Sequence, residues 1–171
     1  MEDKENLYYA LSKISGIHFK VFTSHKGVRF ILINKKDYMP ENAAATALHP
    51  DDPYMLNVFK ELTEYFNRER REFSIPLDVT GTEFQKRVWK QLLKIPYGKT
   101  ISYIKLAEMV GDVKTVRAVG KANGSNPVPI VIPCHRVINA DGKLGGYSAG
   151  LDVKEKLLEI EGGLSLELFT K

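Results

Sequence analysis

Asn126-Pro127-Val128-Pro129-Ile130-Val131-Ile132-Pro133-Cys134-His135-Arg136-Val137 is an apolar run broken by three prolines and closed by a polar triplet. Each internal proline removes a backbone donor and fixes its own φ near roughly −65°. Neither a helix nor a central strand fits such a run, so the segment is expected to be extended and pinned. It carries the only cysteine of the chain, next to a histidine, to the far end of a rigid lead. The elements on either side follow from it.

Upstream, Thr82 and Gln85 form a capping box before a helix whose buried face is expected to be Phe84, Val88, Trp89, Leu92 and Leu93. Pro96-Tyr97-Gly98 breaks that helix. Ser102 caps a short helix carrying Leu106, Ala107 and Val110, and Gly111-Asp112 turns the chain into a second, from about Lys114 to Ala122. Two short helices around a tight glycine turn have helix-turn-helix proportions. Downstream, Asn139-Ala140-Asp141-Gly142 reads as a tight turn and Gly145-Gly146-Tyr147-Ser148-Ala149-Gly150 as a glycine-rich loop. A last helix is expected from Asp152 to Ile160, with a capping box of Asp152 and Glu155 and a stop at Gly162-Gly163.

The first half differs in character. Ile17, Phe19 and Val21 alternate with His18, Lys20 and Phe22, and Ser24-His25-Lys26-Gly27 separates them from Val28–Ile33, which predicts a hairpin. Residues 34 to 52 lack periodicity and read as loop. Asp52 and Pro53 open a helix with the stripe Met55, Phe59, Leu62 and Phe66. Arg68–Glu72 is a solvated charge run, and Phe73, Ile75, Leu77 and Val79 form a short strand or extended linker. The fold class is α+β: a small N-terminal sheet-plus-helix domain over 1–76, then a mostly helical domain with the helix-turn-helix over 77–171.

Composition narrows the function classes. The 171 residues are 43% hydrophobic and 27% charged, the balance of a globular protein. No apolar run approaches the roughly 20 residues of a membrane-spanning helix. The charged opening, Met1 to Asn6, does not read as a secretory signal. A single cysteine excludes an intramolecular disulfide framework and multi-cysteine metal sites. An intracellular protein is expected, cytoplasmic, or nuclear in a eukaryote. The net charge of +4 is compatible with a polyanionic partner without proving one.

Three features carry chemistry. Lys114, Arg117 and Lys121 share one face of the second short helix, and Ala118, Gly120 and Ala122 are small enough to let a backbone or groove approach. A solvated basic face satisfies the same pattern. Cys134 beside His135 suits a thiolate nucleophile with a nearby base, while an inert buried thiol is the commoner fate of a lone cysteine. If the pair sits on a strand the side chains oppose each other; in a helical turn they diverge by about 100°, close enough for a water relay. The glycine-rich loop lacks the Gly-Lys-Ser/Thr ending of a phosphate-binding loop. It presents Tyr147 and Ser148. Glu159 and Glu161, at the end of the last helix, ordinarily read as surface charges, and either one could orient His135 as the third member of a relay.

Asn126 to Val137, the Gly-Gly-Tyr147-Ser stretch and the closing Leu-Leu-Glu-Ile-Glu161-Gly together resemble the O6-alkylguanine-DNA alkyltransferases, over roughly residues 80 to 163. The first 75 residues match in layout only. The resemblance implies direct-reversal DNA repair: Cys134 takes the alkyl group irreversibly from O6-alkylguanine, with O4-alkylthymine a second candidate. His135 would act as base through a water, Glu161 would hold His135, and Asn126 would brace the turn. Arg117 would fill the stack left by the flipped nucleotide. Tyr103 would crowd a phosphate and hydrogen-bond the flipped base.

The same resemblance implies a pocket of Tyr147, Ser148, Pro129, Val137 and Gly145, with the main-chain carbonyls of Cys134 and Val137 reading the guanine amino group. Lys114, Lys121, Ala118 and Gly120 would lie in the minor groove of double-stranded DNA. A cofactor-free monomer is expected. Some relatives hold a zinc through N-terminal cysteines and histidines; here His18, His25 and His49 have no cysteine beside them. Lys121 stands where the family often has a second glycine. The rival readings are an alkylated-base sensor, which would lack the acceptor cysteine, a cysteine hydrolase, which would need an oxyanion hole, and a dimeric helix-turn-helix regulator.

Overall fold

The computed structural model describes residues 6–39 and 44–163 and has a mixed α+β fold. It divides into two compact units, Met1–Thr80 and Gly81–Lys171. No helix among the described residues is long and apolar enough to cross a membrane.

The first unit is a four-stranded sheet with one helix. The expected hairpin is present as β2 (Ile17–Ser24) and β3 (Gly27–Ile33), antiparallel, with a bulge between Phe22 and Thr23. Gly27 sits at φ +150, and a side chain there would collide with the Pro76 carbonyl, so this corner demands glycine. A strand the sequence reading missed, β1 (Leu7–Ile14), pairs antiparallel with β2 through a two-residue turn at Ser15 and Gly16, both at positive φ. The stretch expected to be all loop contains a three-residue strand, β4 (Ala45–Ala47), parallel to β1. The order is β3-β2-β1-β4. With neighbours on both sides, β2 is buried along most of its length, including Lys20.

Helix α1 (Pro53–Phe66) starts where Asp52 and Pro53 predict, the Asp52 side chain accepting from the Tyr54 amide at 3.1 Å. Its stripe of Met55, Phe59, Leu62 and Phe66 is buried and packs on β1 and β2. Phe19 and Phe66 meet edge to face at 5.7 Å. The charge run after α1 is mostly exposed, but Arg70 turns back to pair with Glu64 at 2.8 Å and Glu61 at 3.6 Å. Of the following apolar residues only Ile75 is buried, and a single bridge joins Leu77 to Val28, so the segment is an extended linker.

In the second unit, α2 (Glu83–Leu92), α3 (Tyr103–Val110) and α4 (Val116–Gly124) pack on one another. Both halves of the Thr82–Gln85 capping box are made, and Ser102 caps α3. Gly111 closes α3 at φ +117. Two expectations for α2 are corrected: Leu93 is 51% exposed and Phe84 half-buried, because the helix ends at Leu92 and its buried stripe is Val88, Trp89 and Leu92 alone. A 3-10 turn, Val113–Thr115, precedes α4, so Lys114 lies ahead of the α-helix. Ala122 is buried, not at the surface, and its carbonyl receives the Trp89 indole N–H at 2.9 Å.

A short parallel pair, β5 (Ile101–Ser102) with β6 (Val137–Ile138), was not anticipated, and it brings the start of α3 alongside the Cys134 segment. Helix α5 (Leu151–Ile160) starts one residue earlier than expected and lacks its capping box. Gly150 is the N-cap, and Asp152 falls inside the first turn.

Candidate active site

The proline-pinned lead ends in a 3-10 turn, Cys134–Arg136, where Cys134, His135 and Arg136 are all buried. This selects the turn over the strand as the setting of the Cys-His pair. Asn126 braces the lead from within: its Nδ2 donates to the Ile132 carbonyl at 2.7 Å, and its Oδ1 accepts from the Val128 amide at 3.0 Å. A side chain that bridges both arms of a loop fixes the atoms at its tip.

Behind the turn lies a buried charge network. His135 Nε2 hydrogen-bonds Glu161 Oε1 at 2.7 Å. Arg136 donates to both oxygens of the same carboxylate, Nε to Oε2 at 2.9 Å and Nη2 to Oε1 at 3.0 Å, and its Nη1 to the Ile95 carbonyl at 2.6 Å. The Gly98 amide adds a bond to Oε2 at 3.1 Å. Burial alone would raise the Glu161 carboxyl; hydrogen bonds and charge from His135 and Arg136 outweigh it and hold the pKa at about 2. Burial lowers the His135 pKa against the pull of Glu161, so the imidazole is neutral at pH 7. Burial raises the Cys134 thiol, opposed by a hydrogen bond from Asn126 and the positive charge of Lys154. Cys134 is therefore a thiol at rest, set beside a neutral base.

Cys134 lines a cavity of about 430 Å³ together with Tyr103, Gly120, Asn123, Gly124, Gly146, Tyr147 and Ser148. That volume lies within the roughly 300–1,000 Å³ of small-molecule sites. Tyr103 enters from the first residue of α3, Gly120 and Asn123 from α4, and Tyr147 and Ser148 from the glycine-rich loop. Burial raises the pKa of both tyrosines, with the charge of Cys134 second, so both hydroxyls stay protonated donors. Of the remaining expected pocket residues, Pro129 and Val137 are buried outside this lining, and Gly145 packs against the Tyr103 ring at φ +70. Arg117, Ala118 and Lys121 are exposed on α4 and Lys114 on the turn before it; Gly120 is half-buried.

Three residues here escaped the sequence reading. Arg136 is the covalent neighbour of His135, yet arginine reads as surface until a buried carboxylate is shown to receive it. Asn123 is buried and its Nδ2 makes a long contact, 3.5 Å, with the Cys134 carbonyl. Lys154, fully buried within α5, points its ammonium at the carbonyls of Val137, Leu144 and Gly146. The neighbours Val153, Leu157 and Leu158 mark that face as inward and were the available signal.

Two family models match the chain in tandem. Residues 7–79 match the ribonuclease-like domain of 6-O-methylguanine DNA methyltransferase. Residues 83–163 match the DNA binding domain of the same protein. A Bacillus subtilis methylated-DNA–protein-cysteine methyltransferase, the inducible one, is 36% identical over 97% of this chain and 96% of its own length. The chain belongs to the 6-O-methylguanine DNA methyltransferase family. A Methanosarcina acetivorans methylated-DNA–protein-cysteine methyltransferase is 44% identical over 80% of this chain and 85% of its own length. The crystal structure of Mycobacterium tuberculosis OGT in complex with DNA superposes with a TM-score of 0.82 and 37% identity, covering 91% of this chain and 92% of that one. Family membership favours alkyl transfer over the sensor and hydrolase readings, and Cys134 is the acceptor a sensor would lack.

Proposed function

We propose that this chain repairs double-stranded DNA by direct reversal, moving the alkyl group from O6 of guanine onto Cys134 in a single irreversible turnover. The observation that carries the reading is the buried His135–Glu161 pair directly behind the only cysteine, at the wall of a cavity sized for one base. Glu161 accepts the Nε2 proton of His135, so Nδ1 is the nitrogen that takes the thiol proton, through a water. The thiolate attacks the alkyl carbon, the carbon–O6 bond breaks, and its electron pair leaves with guanine. Tyr103 supplies a hydrogen bond that makes guanine a better leaving group. The product is a thioether, which water does not hydrolyse, so Cys134 is consumed.

A base inside a duplex offers Cys134 no line of attack and has to be extruded, at a cost of a few kcal/mol. Arg117, at the exposed face of α4, offsets that cost by filling the vacated stack, while Lys114 and Lys121 bind phosphates. Ala118 and Gly120 allow α4 to approach the minor groove closely. Tyr147 and Ser148 flank the alkyl group and O6. We place the activity in the cytoplasm, or the nucleus of a eukaryote, with one chain acting alone. The test is peptide mapping after incubation with an O6-methylguanine duplex. Methylation confined to the Cys134 peptide is expected; methylation elsewhere, or equal labelling with undamaged DNA, contradicts the reading.

A further inference from the structure

The cavity wall that carries Gly146, Tyr147 and Ser148 belongs to a stretch with no helix or strand. Asn139 to Lys143 closes on itself, with the Asn139 amide donating to the Lys143 carbonyl at 2.8 Å and the Gly142 amide to the Asn139 carbonyl at 3.0 Å. Tyr147 to Gly150 closes similarly at 3.1 Å. Between these two turns, Leu144, Gly145 and Gly146 make no backbone–backbone hydrogen bond among the described residues. Flexible backbone without such bonds does not hold a wall in place. Yet Tyr147 and Ser148, which follow directly, have to stand at a fixed distance from Cys134 if the pocket is to grip a base.

Lys154 meets this segment from below. Its Nζ donates to the Val137 carbonyl at 2.7 Å, to the Leu144 carbonyl, and to the Gly146 carbonyl at 3.4 Å. The three carbonyls belong to two stretches of chain: the end of the Cys134 turn, where Val137 starts β6, and the irregular wall segment. An ammonium has three donors, and here all three are aimed at main-chain oxygens. A buried cation is costly unless its donors are satisfied, and the three carbonyls that satisfy this one are thereby held at fixed positions relative to one another.

We propose that Lys154 is the positioning residue of the pocket: by gathering the carbonyls of Val137, Leu144 and Gly146, it sets Tyr147 and Ser148 against Cys134. The inference rests on the alkyl-transfer reading of the same site. It assigns Lys154 no contact with the alkyl group or the base.

The test is Lys154→Met, which keeps the length and removes the donors, with Lys154→Gln as a second variant that retains a donor. Single-turnover methyl transfer from an O6-methylguanine duplex is expected to fall about 30-fold in Lys154→Met, because loss of orientation near a reacting centre costs rate rather than binding. Affinity for undamaged duplex is expected to stay near wild type, and the reaction of Cys134 with iodoacetamide, which needs no pocket wall, is expected to fall far less than transfer, by no more than loss of the Lys154 charge near the thiol accounts for. Amide exchange over 144–148 is expected to quicken about tenfold while α2 stays protected, with Lys154→Gln between the two. A parallel fall in transfer and in iodoacetamide reactivity would make Lys154 a counter-charge for the thiolate and overturn the positioning role. Unchanged transfer, or unchanged exchange over 144–148, would overturn it too. So would unfolding of both variants, since the ammonium would then hold the whole unit. The exchange comparison needs no substrate, so it decides the tether even if the wild-type chain takes up no methyl, a result that would fell the proposed function instead.

Discussion

The two units bury the same kinds of polar group and use them differently. In the first, Lys20 is buried over the Tyr9 ring and donates to the Lys36 and Tyr38 carbonyls at 3.1 and 2.9 Å. Glu61 is buried as well, accepting from the Ser74 amide and hydroxyl and pairing with Arg70. In the second, Lys154 ties down a loop by the same device, and Glu161 collects His135, Arg136 and an amide. A buried lysine on loop carbonyls and a buried carboxylate on an arginine are thus structural devices that any fold of this size can use. What separates the second unit is where they end: on the turn that holds Cys134 and on the wall of an open cavity. Burial of charge alone does not mark an active site; burial of charge around a nucleophile with access does.

The largest break in this comparison comes from Cys134→Ala, which is expected to abolish methyl transfer while leaving duplex affinity within about twofold, since the thiol makes no phosphate contact. Filter binding and mass analysis of the same sample check both halves. Next comes the carboxylate pair. Glu161→Gln is expected to slow transfer about 100-fold, as loss of a positioning partner behind a reactive ligand does, and to destabilise the unit. Glu61→Gln is expected to cost stability only. Quenched-flow transfer rates set beside urea midpoints separate the two variants; equal rate losses would erase the distinction.

Acid sharpens it further. Glu161 has a folded pKa of about 2 against an ordinary 4.5, so the unfolded chain takes up a proton first as pH falls. Its contribution is complete above about pH 5 and is lost as pH drops from 4.5 toward 2, on the order of 3 kcal/mol in all. The lowered pKa of His135 acts in the same direction from about pH 6.5 downward, where the unfolded imidazole protonates. Urea midpoints between pH 3 and 7 are expected to flatten in Glu161→Gln; a slope equal to wild type would contradict the assignment.

The α4 face gives smaller effects. Arg117→Ala is expected to lower repair in duplex DNA about tenfold and to leave transfer from a free O6-alkylguanine base nearly unchanged, because the free base leaves no stack to fill. Equal losses on both substrates would remove Arg117 from that role. Lys121→Ala is expected to reduce the slope of log affinity against log salt by about 1, the signature of one phosphate contact.

How much of this was legible in the sequence depended on how far apart the deciding residues lie. Asp52 and Pro53, the Thr82–Gln85 box and Gly111 act within one turn of helix, and each gave its element correctly. The β1 strand was lost because Leu7 to Leu11 is an unbroken apolar run without alternation, though Ser15-Gly16 between two isoleucines was a readable hairpin turn. Strands β4, β5 and β6 are two or three residues long and exist only through their partners. Asp152 failed as a cap because Gly150, at φ +100, starts α5 earlier. In the site, Cys134, His135, Asn126 and Glu161 could be named from their motif. Arg136 and Lys154 could not: a long cationic side chain reads as solvated until buried acceptors from distant segments are seen around it.

The central claim is that one chain accepts one alkyl group and is then spent. Intact-protein mass spectrometry over a titration with duplex carrying a single O6-methylguanine tests it most directly. The account predicts a mass gain of one methyl per chain that reaches its plateau at equivalence and persists when more damaged duplex is added, with no gain in Cys134→Ala. Repair of more lesions than there are chains, with the wild-type mass unchanged, would show a regenerated thiol and contradict it.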